Sequence, residues 1–410
     1  MNDAPFAALD LNLKSERRTH FEYVLHNRVV GQDNAIDKVS QAYEIITARL
    51  NDQRRPFSNT LLLGPTGVGK TLLVESIAEA IHGCPDFMLK IHCAEYSEDH
   101  QIARLIGSPP GYVGHDTTEP IITAKSLQKG WTKDGPKISI VLFDEIEKAS
   151  PHLWQLLLGI MDKAELFDGK NNRIDMSRCW IFMTSNIGSR AINQDHIGIY
   201  YNETTNSITN EAESAAKKRF DPEFMGRLDQ VITFNKLSRD HYDKVLTFEL
   251  TIIWRRVLTT VAPEFTGRPP NLFTMQLTDE LNDWLIEKGT SDKHGARSLR
   301  RLVEAKILSP LATIIATHQI TKPGVVRFEL QQPGDVITAK YQPHPEDKMI
   351  VLTDIVDETT TRHPETKEPT PTTHIYNTPG KYYRDDLLYP SSMHPDSMYP
   401  DSMGELDDNQ

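Results

Sequence analysis

The sequence predicts an α/β chain: a parallel sheet flanked by helices, then a small, mainly helical domain with a short strand pair, and then a disordered tail. Three observations carry this. From Val29 to about Leu237, apolar runs of strand length alternate with segments of helical period. From Ser238 to about Ile320 the pattern is helical, as in Leu277-Thr-Asp-Glu-Leu-Asn-Asp-Trp-Leu-Ile286. After about Asp357 the residues are mostly Thr, Pro, Asp, Ser and Tyr, with no period of either kind.

Taken in order, residues 1–28 form a polar lead-in that ends in an amphipathic turn, Phe21–Leu25. The large domain is expected over 29–237, with strands at Thr60–Leu63, Phe87–Cys93, Ser139–Phe143, Cys179–Thr184 and Val231–Phe234. Asp168-Gly169, between Leu166 and Ile174, marks a hairpin turn. The small domain spans 238–345 and closes with strands Gly324–Leu330 and Val336–Tyr341. The tail, 346–410, ends in three copies of a five-residue unit, among them His394-Pro-Asp-Ser-Met and Tyr399-Pro-Asp-Ser-Met403. Such a segment buries too little surface to order itself, so it is either a solubilising tail or a docking motif used several times.

Composition narrows the function classes. Three cysteines, Cys84, Cys93 and Cys179, make neither a paired framework nor a zinc signature, which suits a reducing compartment. The charged amino terminus lacks a signal-peptide core and no apolar run could span a bilayer, so the expectation is cytoplasmic, without a membrane partner. The net charge is −12, and residues from Asp357 onward, eleven acidic against four basic, carry −7 of it. Nucleic acid is therefore not the expected ligand.

The chemistry centres on Gly64-Pro65-Thr66-Gly67-Val68-Gly69-Lys70-Thr71, between an apolar strand and a helix that begins at about Leu72. This is a P-loop. Its glycines let successive N–H groups face phosphate oxygens, Lys70 adds charge for the β- and γ-phosphates, and the Thr71 hydroxyl is a Mg²⁺ ligand. ATP and Mg²⁺ are the expected cofactors. Opposite it, Ile140-Val-Leu-Phe-Asp144-Glu145 ends a strand in two carboxylates. Asp144 would hold Mg²⁺ and Glu145 would deprotonate the attacking water; Glu147 and Lys148 read as surface residues. A third strand ends at Asn186, whose amide can sense a γ-phosphate or simply serve a turn.

With Val29-Val-Gly-Gln32, Arg104 to Gly114, Val141 to Lys148, Thr184 to Gly188, Asp221 to Asp229 and Gly295-Ala-Arg297 in the same order as the P-loop, the chain resembles the Clp family of AAA+ protein unfoldases. The likeness is to the second ATPase ring of two-ring members and covers about residues 10–340. It implies an AAA+ fold and ATP hydrolysis coupled to protein unfolding in a homo-oligomeric, hexameric ring. It also implies that Val29, Val30 and Gly31 line the adenine pocket, and that Asn186 is the first sensor. Arg227 becomes an arginine finger acting on a neighbour's ATP, against the alternative of an ion pair with Asp229 or Asp221. Arg297 becomes the second sensor. Tyr112 and Val113, in Gly111–Gly114, correspond to the pore loop that grips substrate, against a surface-packed Pro-Gly turn. Ile197-Gly198-Ile199 resembles the loop that docks on the Clp peptidase, against local packing.

Departures from the family pattern matter too. The large amino-terminal domain and first ATPase ring have no counterpart here, and His115–Lys137 is longer than usual and contains Trp131. Selection of unfolded or tagged substrates is then expected from the tail, this segment or an adaptor. The alternatives are a remodelling chaperone with no peptidase, and a nucleotide-switched ring scaffold or loader that does not thread substrate.

Overall fold

The computed structural model describes residues 10–108, 120–133, 135–188, 204–257, 273–291, 294–320, 324–331, 336–343 and 374–375. Where a single amphipathic turn was expected near the amino terminus, helix α1 (Glu16–His26) forms, capped by Ser15, whose hydroxyl accepts from the Arg18 N–H. Its buried Phe21 stacks on Tyr43 of α2 (Asp33–Thr47) with ring centroids 4.3 Å apart, so the segment contributes to the core.

Strand β1 (Ser58–Leu63) is buried along its whole length and leads through the glycine-rich loop into α3 (Lys70–His82). Strand β2 (Leu89–His92) is followed by short helices α4 (Ala103–Ile106) and α5 (Ala124–Leu127). After β3 (Ser139–Asp144) comes α6 (Pro151–Lys163), which starts on a Ser150 cap with Pro151 in its first turn. The expected hairpin forms as antiparallel β4 (Glu165–Phe167) and β5 (Arg173–Asp175). Then follow β6 (Cys179–Ser185), α7 (Thr204–Arg219), α8 (Pro222–Met225) and β7 (Gln230–Thr233).

The five long-range strands make a parallel sheet in the order β2-β3-β6-β1-β7, with β1 between β6 and β7. Alternation along each strand splits the core in two. Leu61, Leu63, Val141, Phe143, Ile181 and Met183 face α6, Phe220 and Phe224. Leu62, Ile140, Leu142, Trp180 and Phe182 face α1, α2 and α3. Strands buried on both faces carry apolar runs such as Leu61–Leu63, Ile140–Phe143 and Trp180–Met183, and that is why they are legible as strands.

The second unit begins with α9 (Arg239–Arg256), capped by Ser238. Helical pattern had been expected on to Ile320, but Phe273–Leu277 forms strand β8. It buries Phe273, Met275 and Leu277 on one face and pairs in parallel with β9 (Gly324–Gln331). Between them lie α10 (Asp279–Gly289) and α11 (Ala296–Val303), which runs through a π-helical turn at Glu304–Leu308 into α12 (Ser309–Ala316). Pro310 cannot donate to the ladder, and the wider turn before it accommodates the loss. Strand β10 (Val336–Pro343) pairs antiparallel with β9. Within the expected tail, His374–Ile375 pairs as a two-residue strand, β11, with the other edge of β8. The rest of that tail lies outside the described residues. Among the described residues no helix is long and apolar enough to cross a membrane.

Candidate functional site

The carboxyl ends of β1, β3 and β6 bring the P-loop, the acidic pair and Asn186 together, where ligands bind on parallel sheets. Gly64, Gly67 and Gly69 all have φ in the left-handed half of the map, at +150°, +79° and +106°. The loop can therefore curl only because these positions lack a Cβ. Lys70 is buried, and its Nζ donates to Gly64 O (2.6 Å), Pro65 O (2.7 Å) and Asn186 Oδ1 (2.9 Å). Burial pulls its ammonium down to about 8, and the leading opposing influence is the negative charge of Glu147, ahead of Asp144 and Glu145.

Thr71 Oγ1 lies 3.5 Å from Asp144 Oδ1, and the same oxygen of Asp144 accepts from Thr184 Oγ1. Among the described residues there is no cluster of three or more His, Cys, Asp or Glu side chains fit for a metal. One hydroxyl and one carboxylate side by side instead suit Mg²⁺, which takes few protein ligands and completes its shell with water and phosphate oxygens.

Glu145 is the site's strained residue, with φ +59° and ψ +52°. Its N–H donates to Thr184 Oγ1 (3.0 Å), and its carboxylate pairs with Lys148 Nζ at 2.6 Å. Thr184, in the stretch that leads to Asn186, thus braces both acids, a role that sequence reasoning missed. Glu147 is a further correction. Sequence placed it at the surface, but Oε1 accepts from the Asn186 N–H and Oε2 is buried.

Of Val29, Val30 and Gly31, Val29 lies beside the loop: a Cβ on Gly69 would meet Val29 Cγ1 at 4.0 Å. Gly31 packs against the His241 ring of α9, so the small unit supplies one wall of this corner. Gln32, 2% exposed, ties three elements together. Its Nε2 donates to Val68 O (3.4 Å) and Asn235 O (3.0 Å), and its Oε1 accepts from Asn235 N (3.0 Å). Leu72 packs half-buried on the core behind the loop. Arg297 sits exposed in the first turn of α11, just after Ala296, whose N–H donates to Gly67 O at 3.1 Å. Its charge acts on Lys70 and lowers the pKa of that ammonium further.

Arg227 is not brought into this site. Its carbonyl accepts from Arg55 (3.1 Å) and Asn59 Nδ2 (3.4 Å), at the start of β1. Five residues of strand put it roughly 17 Å from the loop that follows Leu63. Its guanidinium pairs with Asp162 (2.7 Å) and Glu223 (2.9 Å), rather than with the Asp229 or Asp221 suggested by sequence proximity. Tyr112, Val113, Ile197, Gly198 and Ile199 lie outside the described residues. In the longer segment before β3, Ile122 is buried and Arg178 lies over the Trp131 ring at 5.8 Å.

The sequence matches two family models: AAA domain (Cdc48 subfamily) over residues 55–231, and the C-terminal, D2-small domain of ClpB protein over 271–328. It is 33% identical over 306 residues to the ATP-dependent Clp protease ATP-binding subunit ClpC of Staphylococcus saprophyticus, covering 74% of this chain and 35% of that protein. Chaperone protein ClpB of Meiothermus ruber is 34% identical over 305 residues, covering 74% and 33%. The chain thus spans about a third of the length of these two relatives. A shorter relative, probable chaperone protein ClpB 1 of Chlorobaculum tepidum, is 33% identical over 333 residues, with 80% of this chain and 72% of that protein covered. Among solved structures, a closed-state reconstruction of Hsp104 with ATPγS and FITC-casein is similar at a TM-score of 0.66 and 32% identity. It covers 81% of this chain and 53% of the Hsp104 chain.

Proposed function

Because the chain belongs to the Clp family of AAA+ ATPases, we propose that it hydrolyses ATP and uses the cycle to unfold or remodel protein, threading polypeptide through the pore of a ring. The observation that carries this reading is the convergence of Lys70, Thr71, Asp144, Glu145 and Asn186 at one end of the sheet.

In this reading the P-loop N–H groups from Gly67 to Thr71 cradle the phosphates, with Pro65 and Thr66 shaping the turn and Val68 and Leu72 anchoring it. Lys70 leaves its carbonyl partners for the β- and γ-phosphates. Thr71 and Asp144 would hold Mg²⁺, which would supply positive charge against the phosphate oxygens. Glu145, freed from Lys148, takes the proton of the attacking water. Asn186 orients that water and reports the γ-phosphate. Val29, Val30 and Gly31 hold the base, and Arg297 responds from the small domain (238–345) to the state of the large one (29–237).

The distance of Arg227 from its own P-loop favours a role in trans, which requires a homo-oligomeric ring, hexameric by family expectation. Tyr112 and Val113 would grip substrate by sequence-tolerant apolar contact. The Hsp104 relative was imaged with casein, which supports an unfolded polypeptide as substrate. Docking of Ile197-Gly198-Ile199 on a Clp peptidase is the finer proposal. It has a relative named as a Clp protease subunit in its favour. A peptidase-independent chaperone is the second reading, favoured by the ClpB relatives. Cytoplasmic placement belongs to the proposal.

The test is Mg²⁺-dependent ATPase and unfolding of a tagged stable protein by the purified chain. Glu145→Gln should keep ATP binding and lose at least about a hundredfold in turnover. Near-normal ATPase in that variant would remove Glu145 from its role. ATPase without unfolding, and without dependence on Tyr112, would favour a ring scaffold.

A further inference from the structure

The turn after Glu145 carries a third carboxylate that no role accounts for. Residues Ile146–Lys148 form one turn of 3₁₀ helix, and two contacts pin its main chain. Trp154 Nε1 donates to Ile146 O at 3.1 Å, and Arg219 of α7 donates to Glu147 O at 3.0 Å while lying over the Trp154 ring at 4.9 Å. Glu147 therefore projects from a fixed platform. Its Oε1 accepts from the N–H of Asn186 at 3.3 Å, and Oε2 is buried with no hydrogen-bond partner. Burying a carboxylate oxygen in this way is costly, and a solvated surface position would carry no such cost. The N–H it accepts belongs to the residue whose side chain meets Lys70 at 2.9 Å.

We propose that Glu147 is a positioning residue of the hydrolytic site: by accepting the Asn186 N–H, it fixes where β6 ends and thus where the Asn186 amide points. Glu147 acts through Asn186 and touches neither nucleotide nor water itself. For this role the acceptor oxygen is the essential feature, apart from the effect of the Glu147 charge on Lys70. This rests on the reading of Asn186 as the residue that senses the γ-phosphate.

Steady-state ATPase of the full chain tests both levels. Glu147→Met fills the same space without an acceptor and should lower kcat about tenfold, with KM for ATP changed less than threefold. Glu147→Gln keeps an acceptor oxygen and should recover at least fivefold relative to Glu147→Met. If Gln and Met are equally impaired, or neither is, the positioning role is wrong. Asn186→Ala alone tests the sensor reading: normal turnover there would overturn that reading. If Asn186→Ala is impaired, Glu147→Met added to it should cost less than a further twofold, because both act through one amide. Losses that multiply would overturn the proposal while leaving the sensor reading in place.

Discussion

Glu145 holds a backbone conformation that costs a non-glycine residue on the order of 1–2 kcal/mol, and it does so at the point where the chain leaves a buried strand. Thr184 compensates, taking its N–H and bracing Asp144 with the same hydroxyl. The turn takes the chain out of the strand direction, and the carboxylate lies against Lys148 at 2.6 Å. None of this is visible in a sequence, where Asp144-Glu145 reads as two acids in line. Gln32 makes a related case. It stands in the recognisable stretch Val29–Gln32, yet its work depends on Asn235, 203 residues away. Replacing it with Leu would leave Val68 O, Asn235 O and Asn235 N without these partners in a part-buried corner. We expect Gln32→Leu to destabilise the chain by about 2–4 kcal/mol in denaturant unfolding, since each buried polar group left unpaired costs about 1–3 kcal/mol. A change under about 0.5 kcal/mol would mean that water takes over these bonds.

At the scale of elements, the central strands β1, β3 and β6 were legible because each carries a run of buried apolar residues, and the structure places all five strands within two residues of their expected starts. Strand β8 was not. Phe273-Thr-Met-Gln-Leu277 does alternate, but it is short, its partner β9 lies some fifty residues on, and the helical pattern around it dominates. The lead-in was read as a turn because its two buried residues, Phe21 and Leu25, are too few to set a strong period. Least legible of all was the seam between the large and small units. Gly67 and Gly295 meet there backbone to backbone: a Cβ on Gly67 would lie 2.0 Å from His294 O, and one on Gly295 would lie 2.7 Å from Gly67 O. Sequence shows two glycines 228 residues apart, and only tertiary structure shows that they meet with no room for a Cβ on either. Gly295→Ala cannot keep φ +55° and this contact without strain, which opening of the seam would relieve. The expected result is release of a fluorescent ADP analogue at least threefold faster, with the global unfolding midpoint little changed. Unaltered release would show that the seam does not guard the nucleotide.

For the whole molecule, the likeness to known proteins spans both units but only about a third of the Staphylococcus saprophyticus ClpC and Meiothermus ruber ClpB chains, so assembly must be argued from this chain's own geometry. Arg227 is the informative residue. Its carbonyl is bound at the start of β1 and its side chain is tied to Asp162 and Glu223, while the P-loop opens at the other end of that strand. An arginine so placed cannot serve the nucleotide of its own chain without unravelling the sheet edge. Either it is structural, worth little because both partners are largely exposed, or it projects into a neighbour's site in a ring. The two accounts part cleanly. If structural, Arg227→Ala should hydrolyse ATP normally. If it acts in trans, Arg227→Ala should assemble with ATP yet hydrolyse at least about tenfold more slowly. Mixing then decides. An Arg227→Ala subunit keeps Glu145, and a Glu145→Gln subunit keeps Arg227, so each alone is nearly inactive. Where the first binds ATP and the second stands beside it, one interface again holds both groups, and an equimolar mixture should exceed the sum of its separate activities several-fold. A mixture that only averages its components, when both are shown to co-assemble by sedimentation, would return Arg227 to its ion pairs.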